Sequence, residues 1–324
     1  MRMSKHFDVV ALGELLIDFT ANGESTQGNP VFEANPGGAP CNVLAMLRKL
    51  DKTCAFIGKV GNDMFGQQLK AVAESAGIDM SALRMDDNVR TTLAFVKTDE
   101  HGDRDFSFYR NPGADMMLKK EELPLDVIAD AKIFHFGTLS MTHEDVRQAT
   151  KAAVQAAKEA GTVISFDPNL RPPLWESLNE AKAQMLWGLG QADIVKIADN
   201  EIEFLTGTTD YEKGAAILRE RFLNIRLLNV TAGANGSYAF FEDKKMFVPS
   251  FLLGGTIETT GAGDTFCASV LNFVLEHGLE GLSRGDLKAM LRFANAAAYL
   301  VTTRKGAIKS MPELAQVEAI LREH

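Results

Sequence analysis

Cysteine is scarce in this chain: Cys41, Cys54 and Cys267 are the three present, and no C-x-x-C pair is among them. That excludes a disulfide scaffold or a cysteine zinc site, and it predicts a reduced, cytoplasmic setting. Basic residues are outnumbered, with 34 Lys and Arg against 43 Asp and Glu for a formal net charge of −9. Nonspecific nucleic-acid binding relies on Lys and Arg at phosphates, so nucleic acid is not an expected partner. A small anion in a locally positive pocket stays open. No apolar run is long enough to cross a bilayer, so no membrane partner is expected. The polar opening Met1–Asp8 leads directly into a short apolar strand and does not read as a secretory leader. The first strand is not followed by G-x-G-x-x-G, which argues against a dinucleotide-dependent oxidoreductase. Repeats, low-complexity segments and linker-like Ser/Pro/Gly runs are also lacking.

What is present is a core-forming composition, 46% hydrophobic, with strands and helices in alternation. Phe7–Gly13 reads as a buried strand that Glu14–Phe19 continues. Cys54–Gly61 reads as a second strand, and Asn62-Asp63 as the cap of a helix that stops at Gly77. Residues 90–97 and 105–110 alternate as strands around a His101-Gly102-Asp103 turn. From Ile133 onward, strands alternate regularly with helices, up to a second hairpin over residues 237–249. The expected fold class is therefore α/β, a mainly parallel central sheet with helices on both faces. Residues 14–36 and 90–112 break the βα rhythm. They are expected to form a small β-sheet lid on one domain spanning 1–324.

The stretch Thr259-Thr260-Gly261-Ala262-Gly263-Asp264 leads into an apolar run, Thr265–Leu275, at helical spacing. It predicts a loop that becomes a helix at Asp264. A helix N-terminus carries unpaired N–H groups and partial positive charge, and small residues before it let a phosphoryl group approach. Asp264 there is either a base for a hydroxyl attacking phosphorus or an N-cap on a glycine-rich turn. Asp18, among apolar neighbours, is either an edge residue or ligand-facing. Sites at strand carboxyl ends favour the latter. Gly37-Gly38 permits close backbone approach before a helix opened by Ala39-Pro40. Asn42 in its first turn offers a donor and an acceptor to hydroxyls, unless the segment is a plain turn. Arg110 is either a surface charge or a substrate clamp.

With these stretches read, the chain resembles the ribokinase-like (PfkB-type) sugar kinases. One family signature runs from Gly37 to Gly66 and the other from Glu258 to Leu271. Residues 13–19, 36–43, 56–66, 108–116, 166–175 and 204–207 resemble the fructokinase branch. The resemblance implies transfer of the ATP γ-phosphoryl to a sugar hydroxyl, with Mg²⁺ and often a monovalent cation such as K⁺. It implies Asp264 as catalytic base and Gly261, Ala262 and Gly263 as anion hole. Asp18, Gly37, Gly38 and Asn42 match sugar-binding positions, with Arg110 and Arg171 near the sugar. Asn200 and Glu203 match an N-x-x-E motif that organises Mg²⁺ through water. Thr231, Gly233 and Gly236 match positions near the nucleotide phosphates, and Asn295 falls near the adenine. Glu258, Thr260 and Ser310 fall on the monovalent-cation loop, where Glu258 replaces the usual Asp and bears on K⁺ dependence. Cys41 replaces a more usual alanine.

Fructose is the substrate this branch implies. 2-Keto-3-deoxygluconate, ribose or a nucleoside are the alternatives within the family. A non-catalytic sugar or nucleotide sensor would be favoured by a missing base or a broken anion hole, and both are intact here. Lid edges invite pairing, which makes a homodimer through the lid one possible assembly; the sequence does not settle the oligomeric state.

Overall fold

Two sheets with different jobs emerge from the pattern of apolar runs. The computed structural model describes residues 5–98 and 104–324. Strand β1 (Phe7–Leu12) is apolar except for Asp8 and lies inside a large sheet. The expected continuation through Glu14 does not form. At Gly13 a side chain would meet the Pro40 ring at 2.5 Å, and the Glu14 carboxylate turns inward to accept from the Ala39 amide at 2.7 Å. The chain leaves the large sheet there and enters a second one as β2 (Leu16–Glu24), returning as β3 (Pro30–Gly37).

Helix α1 (Ala39–Lys49) follows, with proline in its first turn. Next come β4 (Cys54–Gly61) and α2 (Met64–Ser75). The Asp63 carboxylate caps α2 by accepting from the Phe65 and Gly66 amides at 3.1 and 2.9 Å. Strand β5 (Leu83–Asp86) ends one edge of the large sheet. β6 (Leu93–Thr98) and β7 (Arg104–Tyr109) join the small one. The expected His101-Gly102-Asp103 turn lies outside the described residues.

Thereafter strand and helix alternate as α3 (Leu125–Ala129), β8 (Ala131–Gly137), α4 (Glu144–Glu159), β9 (Val163–Asp167), α5 (Leu178–Leu189), β10 (Ile194–Ala198), α6 (Asp199–Thr206), α7 (Tyr211–Arg221) and β11 (Leu227–Thr231). A hairpin, β12 (Ser237–Phe241) and β13 (Lys244–Val248), precedes α8 (Ala262–His277), α9 (Arg284–Thr302) and α10 (Leu314–Glu323).

The large sheet has nine strands in the order β13-β12-β11-β10-β9-β8-β1-β4-β5. It is parallel except at the terminal hairpin. Two apolar cores cover its faces. One lies beneath α1, α8 and α9 and contains Leu44, Leu47, Phe266 and Leu291. The other, beneath α4, α5 and α7, contains Phe134, Phe166, Val154 and Leu218. This is the layered α/β architecture expected of alternating elements.

The small sheet runs β3-β2-β6-β7. β2 pairs antiparallel with β3 and parallel with β6, and β6 pairs antiparallel with β7. Successive side chains alternate faces. Leu16, Asp18, Thr20, Val96 and Phe108 look into a cavity above the large sheet. Phe19 and Phe95 stack on the opposite face with ring centroids 4.8 Å apart.

Candidate active site

Two cavities meet at the start of α8. A polar one of about 160 Å³ lies between the small sheet and the carboxyl ends of the large sheet's strands. A more open one of about 300 Å³ lies beside α9 and the turn after β11. Thr259 and Gly263 line both.

The wall between them is built by glycine. Helix α8 begins at Ala262, two residues before the expected start, with Gly261 as N-cap at φ 79°. That left-handed backbone suits glycine, and a side chain there would also press on Ala307 at 3.1 Å. Asp264 is therefore not the cap. It sits in the first turn, buried, where the helix's unpaired N–H groups concentrate positive potential.

The Asp264 carboxylate accepts a 2.8 Å hydrogen bond from Asn42 Nδ2. Burial raises its pKa to about 6, while the Asn42 bond and the charges of Lys196 and Arg171 pull the other way and Asp167 adds to the rise. Such a carboxyl is ionised at neutral pH and poorly solvated, which suits a proton acceptor.

The polar cavity gathers most of the expected sugar positions. Asp18, Gly38, Asn42 and Arg171 line it together with Asp264. Gly37 does not, but a side chain there would come within 2.7 Å of Asp18 Oδ2, so its smallness leaves space for that carboxylate. Gly38 holds φ 133°, and a Cβ would stand 2.4 Å from the Glu14 carbonyl. Asn42 Oδ1 is buried without a hydrogen-bond partner. A ligand hydroxyl would satisfy it.

Arg110 is not a surface charge, and it does not line this cavity. It is buried, paired with Asp115 at 2.7 Å. Its guanidinium also donates to Thr142 Oγ1 at 2.8 Å and the Leu139 carbonyl at 3.1 Å.

Asn200 and Glu203 stand exposed on α6, and neither lines either cavity. The acid turned inward is Glu201, which accepts from the Leu170 and Ala198 amides at 2.7 and 2.8 Å. Burial raises its pKa while Lys196 opposes the rise. The N-x-x-E spacing concealed it. The signal that would have found it is helical phase, since Glu201 shares the buried face with Ile202 and Leu205.

Two further groups escaped the sequence. Glu14 lines the polar cavity while capping α1, and burial raises its pKa to about 7. Lys196 also lines the cavity, in a 3.1 Å ion pair with Asp167. A sheet covered on both faces reads as apolar, so an acid or lysine at a strand end was the available signal.

In the second cavity the expected nucleotide positions Thr231, Gly233, Gly236 and Asn295 all appear. Asn295 donates to the Val248 and Pro249 carbonyls, both at 3.1 Å, and accepts from Ser237 Oγ at 2.8 Å. Its amide shapes the wall.

The residues expected at the cation loop lie near one another. Glu258 and Thr260 line the polar cavity, and Glu258 Oε1 accepts from the Gly306 amide at 2.6 Å. Ser310 Oγ donates to the Lys305 carbonyl. Among the described residues no cluster of three or more His, Cys, Asp or Glu could hold a metal ion, and no helix is long and apolar enough to cross a membrane.

Comparison with known proteins gives the family. The family model described as pfkB family carbohydrate kinase matches residues 6–314. A probable fructokinase-2 of Arabidopsis thaliana is 42% identical over 308 residues, 94% of this chain and 92% of that protein. The crystal structure of fructokinase with bound ATP from Xylella fastidiosa superposes with a TM-score of 0.88 at 31% identity, covering 98% of both chains. Fructokinase from Vibrio cholerae O395 in its fructose-, ADP- and calcium-bound form gives 0.85 at 31% identity, covering 97% of this chain and 99% of that one. The chain belongs to the pfkB family of carbohydrate kinases, phosphotransferases that act on a sugar hydroxyl.

Proposed function

We propose that the protein transfers the γ-phosphoryl of ATP to a hydroxyl of fructose. The observation that carries this reading is the position of Asp264, buried in the polar cavity beside the Thr259 and Gly263 wall shared with the second cavity. The likeness to fructokinases over nearly the whole chain supports fructose as the acceptor.

In this mechanism Asp18 and Asn42 orient the sugar hydroxyls. Asp264 accepts the proton of the attacking hydroxyl as the new P–O bond forms and the bond to the ADP oxygen breaks. The amides of residues 261–263 and the α8 dipole stabilise the charge on the moving phosphoryl. The small sheet shields the reaction from water, which would otherwise compete as acceptor.

Mg²⁺ suits the donor set. It is held mainly by substrate phosphates and retained waters with one or two carboxylates; Glu201 lines neither cavity and would act only from behind the wall, through the Leu170 and Ala198 amides it holds. When bound it neutralises charge on the phosphate oxygens.

A sugar acid is the second reading, and it would need a cation on the wall. Arg110 is committed to Asp115, which leaves Arg171 and the paired Lys196. A homodimer through the small sheet is supported by its exposed Phe32 and Tyr109 and its open edges β3 and β7. Sedimentation at several concentrations tests it.

The test of function is an ADP-release assay with Mg-ATP against fructose, ribose, 2-keto-3-deoxygluconate, glucose and adenosine, with and without K⁺. A kcat/KM preference for fructose is expected, and preference for another member would move the substrate. No turnover by folded protein that binds ATP would overturn the reading. The K⁺ arm measures whether the Glu258–Gly306 bond orders the loop by itself.

A further inference from the structure

The large sheet carries an unusual row of polar residues under α8. His135, Ser165, Lys196 and Asn229 lie on adjacent strands β8, β9, β10 and β11, all buried. Register pairs His135 with Ser165 and Lys196 with Asn229. Ser165 pairs with Ile194, two residues from Lys196, so the four share a face. Three are neutral: burial lowers the His135 pKa to about 3. Lys196 alone brings charge.

Its placement is specific. The ammonium pairs with Asp167 at 3.1 Å and forms part of the polar cavity's wall. Burial works against its charge, but Asp167 and Glu201 outweigh it and raise the pKa, so the lysine stays protonated. It also lies directly against the anion loop, because a Cβ on Gly263 would stand 3.1 Å from Lys196 Nζ. Gly263 lies inside α8 and has no left-handed φ. Glycine at an ordinary helical position is disfavoured against alanine. Backbone conformation does not require it, and a side chain there would crowd the lysine ammonium.

We infer that Lys196 is the side-chain cation of the phosphoryl-transfer site, held by Asp167 beneath the anion loop to face the phosphoryl group as it moves. The inference rests on the kinase reading above. Lys196 takes no proton in the step: the hydroxyl proton goes to Asp264 and the leaving oxygen stays on ADP. The lysine supplies fixed positive charge where three equatorial oxygens share the developing negative charge. An ammonium in a water-poor cavity does this with little reorganisation.

The test compares steady-state kinetics of Lys196→Met, Lys196→Arg and the double variant Lys196→Met/Asp167→Asn on the full chain, with fructose and Mg-ATP. The double variant matters because the single one strands a buried carboxylate, which can unfold a protein. Lys196→Met is expected to lose about 10²–10³-fold in kcat, the size of losing one transition-state donor, with both KM values within about threefold. Lys196→Arg should recover at least about tenfold of that. The double variant, folded by thermal melt, should stay as slow as Lys196→Met. Restoration of wild-type kcat in the double variant would show that Lys196 only neutralises Asp167 and would overturn the inference. So would full kcat in Lys196→Met, or a loss confined to KM. If the wild type itself turned over no sugar, the kinase reading would fall first and this inference with it.

Discussion

Asn42 and Asp264 lie 222 positions apart in sequence, and a buried 2.8 Å hydrogen bond joins them. It ties the first turn of α1 to the first turn of α8. It uses one Asn42 donor and leaves Oδ1 without a partner. It also opposes the effect of burial on the Asp264 pKa. Asn42→Ala should therefore act twice: the KM for the sugar rises, and the acid limb of kcat/KM moves to higher pH. A pH profile of the variant checks this, and an unmoved limb would contradict it.

The wild-type profile should have its acid limb near pH 6, where burial places Asp264. Below it the base is protonated, and kcat/KM should fall about tenfold per pH unit. The measurement is kcat/KM against pH at saturating Mg-ATP. A profile flat down to pH 5 would exclude Asp264 as the titrating base.

Replacing Asp264 by Asn should separate activity from stability. Loss of general-base help lowers kcat by about 10²–10⁴-fold. The folded-state pKa of about 6 lies above the ordinary 3.8, so the carboxyl's contribution to stability declines as pH rises from 3.8 through 6 and is lost above it. At pH 7.5 the amide should gain on the order of 1–3 kcal/mol. Urea unfolding at pH 4 and 7.5 reads the gain, which should shrink at the lower pH.

The two acids of α6 should behave differently. Glu203→Gln, at an exposed position, should leave kcat within about twofold. Glu201→Gln should cost about 10–100-fold and raise the Mg²⁺ concentration needed, as loss of a group that orders a metal's surroundings does. Mg²⁺ titrations of both variants decide which acid serves the site.

Arg110 is expected to matter for stability rather than for sugar binding. Arg110→Met strands Asp115, which is buried at 4% exposure, and should cost about 3–5 kcal/mol. Arg171→Met, at a half-buried cavity wall, should instead raise the sugar KM with little change in melting temperature. Reversal of the two phenotypes would restore Arg110 as the clamp.

Much of this protein was legible in residue order. Apolar runs of strand length alternating with amphipathic segments determine a mainly parallel covered sheet, because both motifs are local. The glycines at 37, 38, 261 and 263 were visible for the same reason: close approach requires a missing side chain wherever it occurs. What sequence spacing could not decide was phase and partnership. Whether Glu201 or Glu203 faces inward depends on how α6 packs on the sheet. Whether Arg110 meets substrate or Asp115 depends on a buried neighbour five residues away. Nothing in the sequence singled out Lys196, which β9 sets against Asp167 and α8 covers with Gly263. The Lys196 contacts join residues far apart in the chain, and burial makes each of these contacts carry energy that water would otherwise screen. Composition and pattern therefore determined the fold, and the family the two signatures resemble implied the class of chemistry, while tertiary packing alone decided which charges face the reaction.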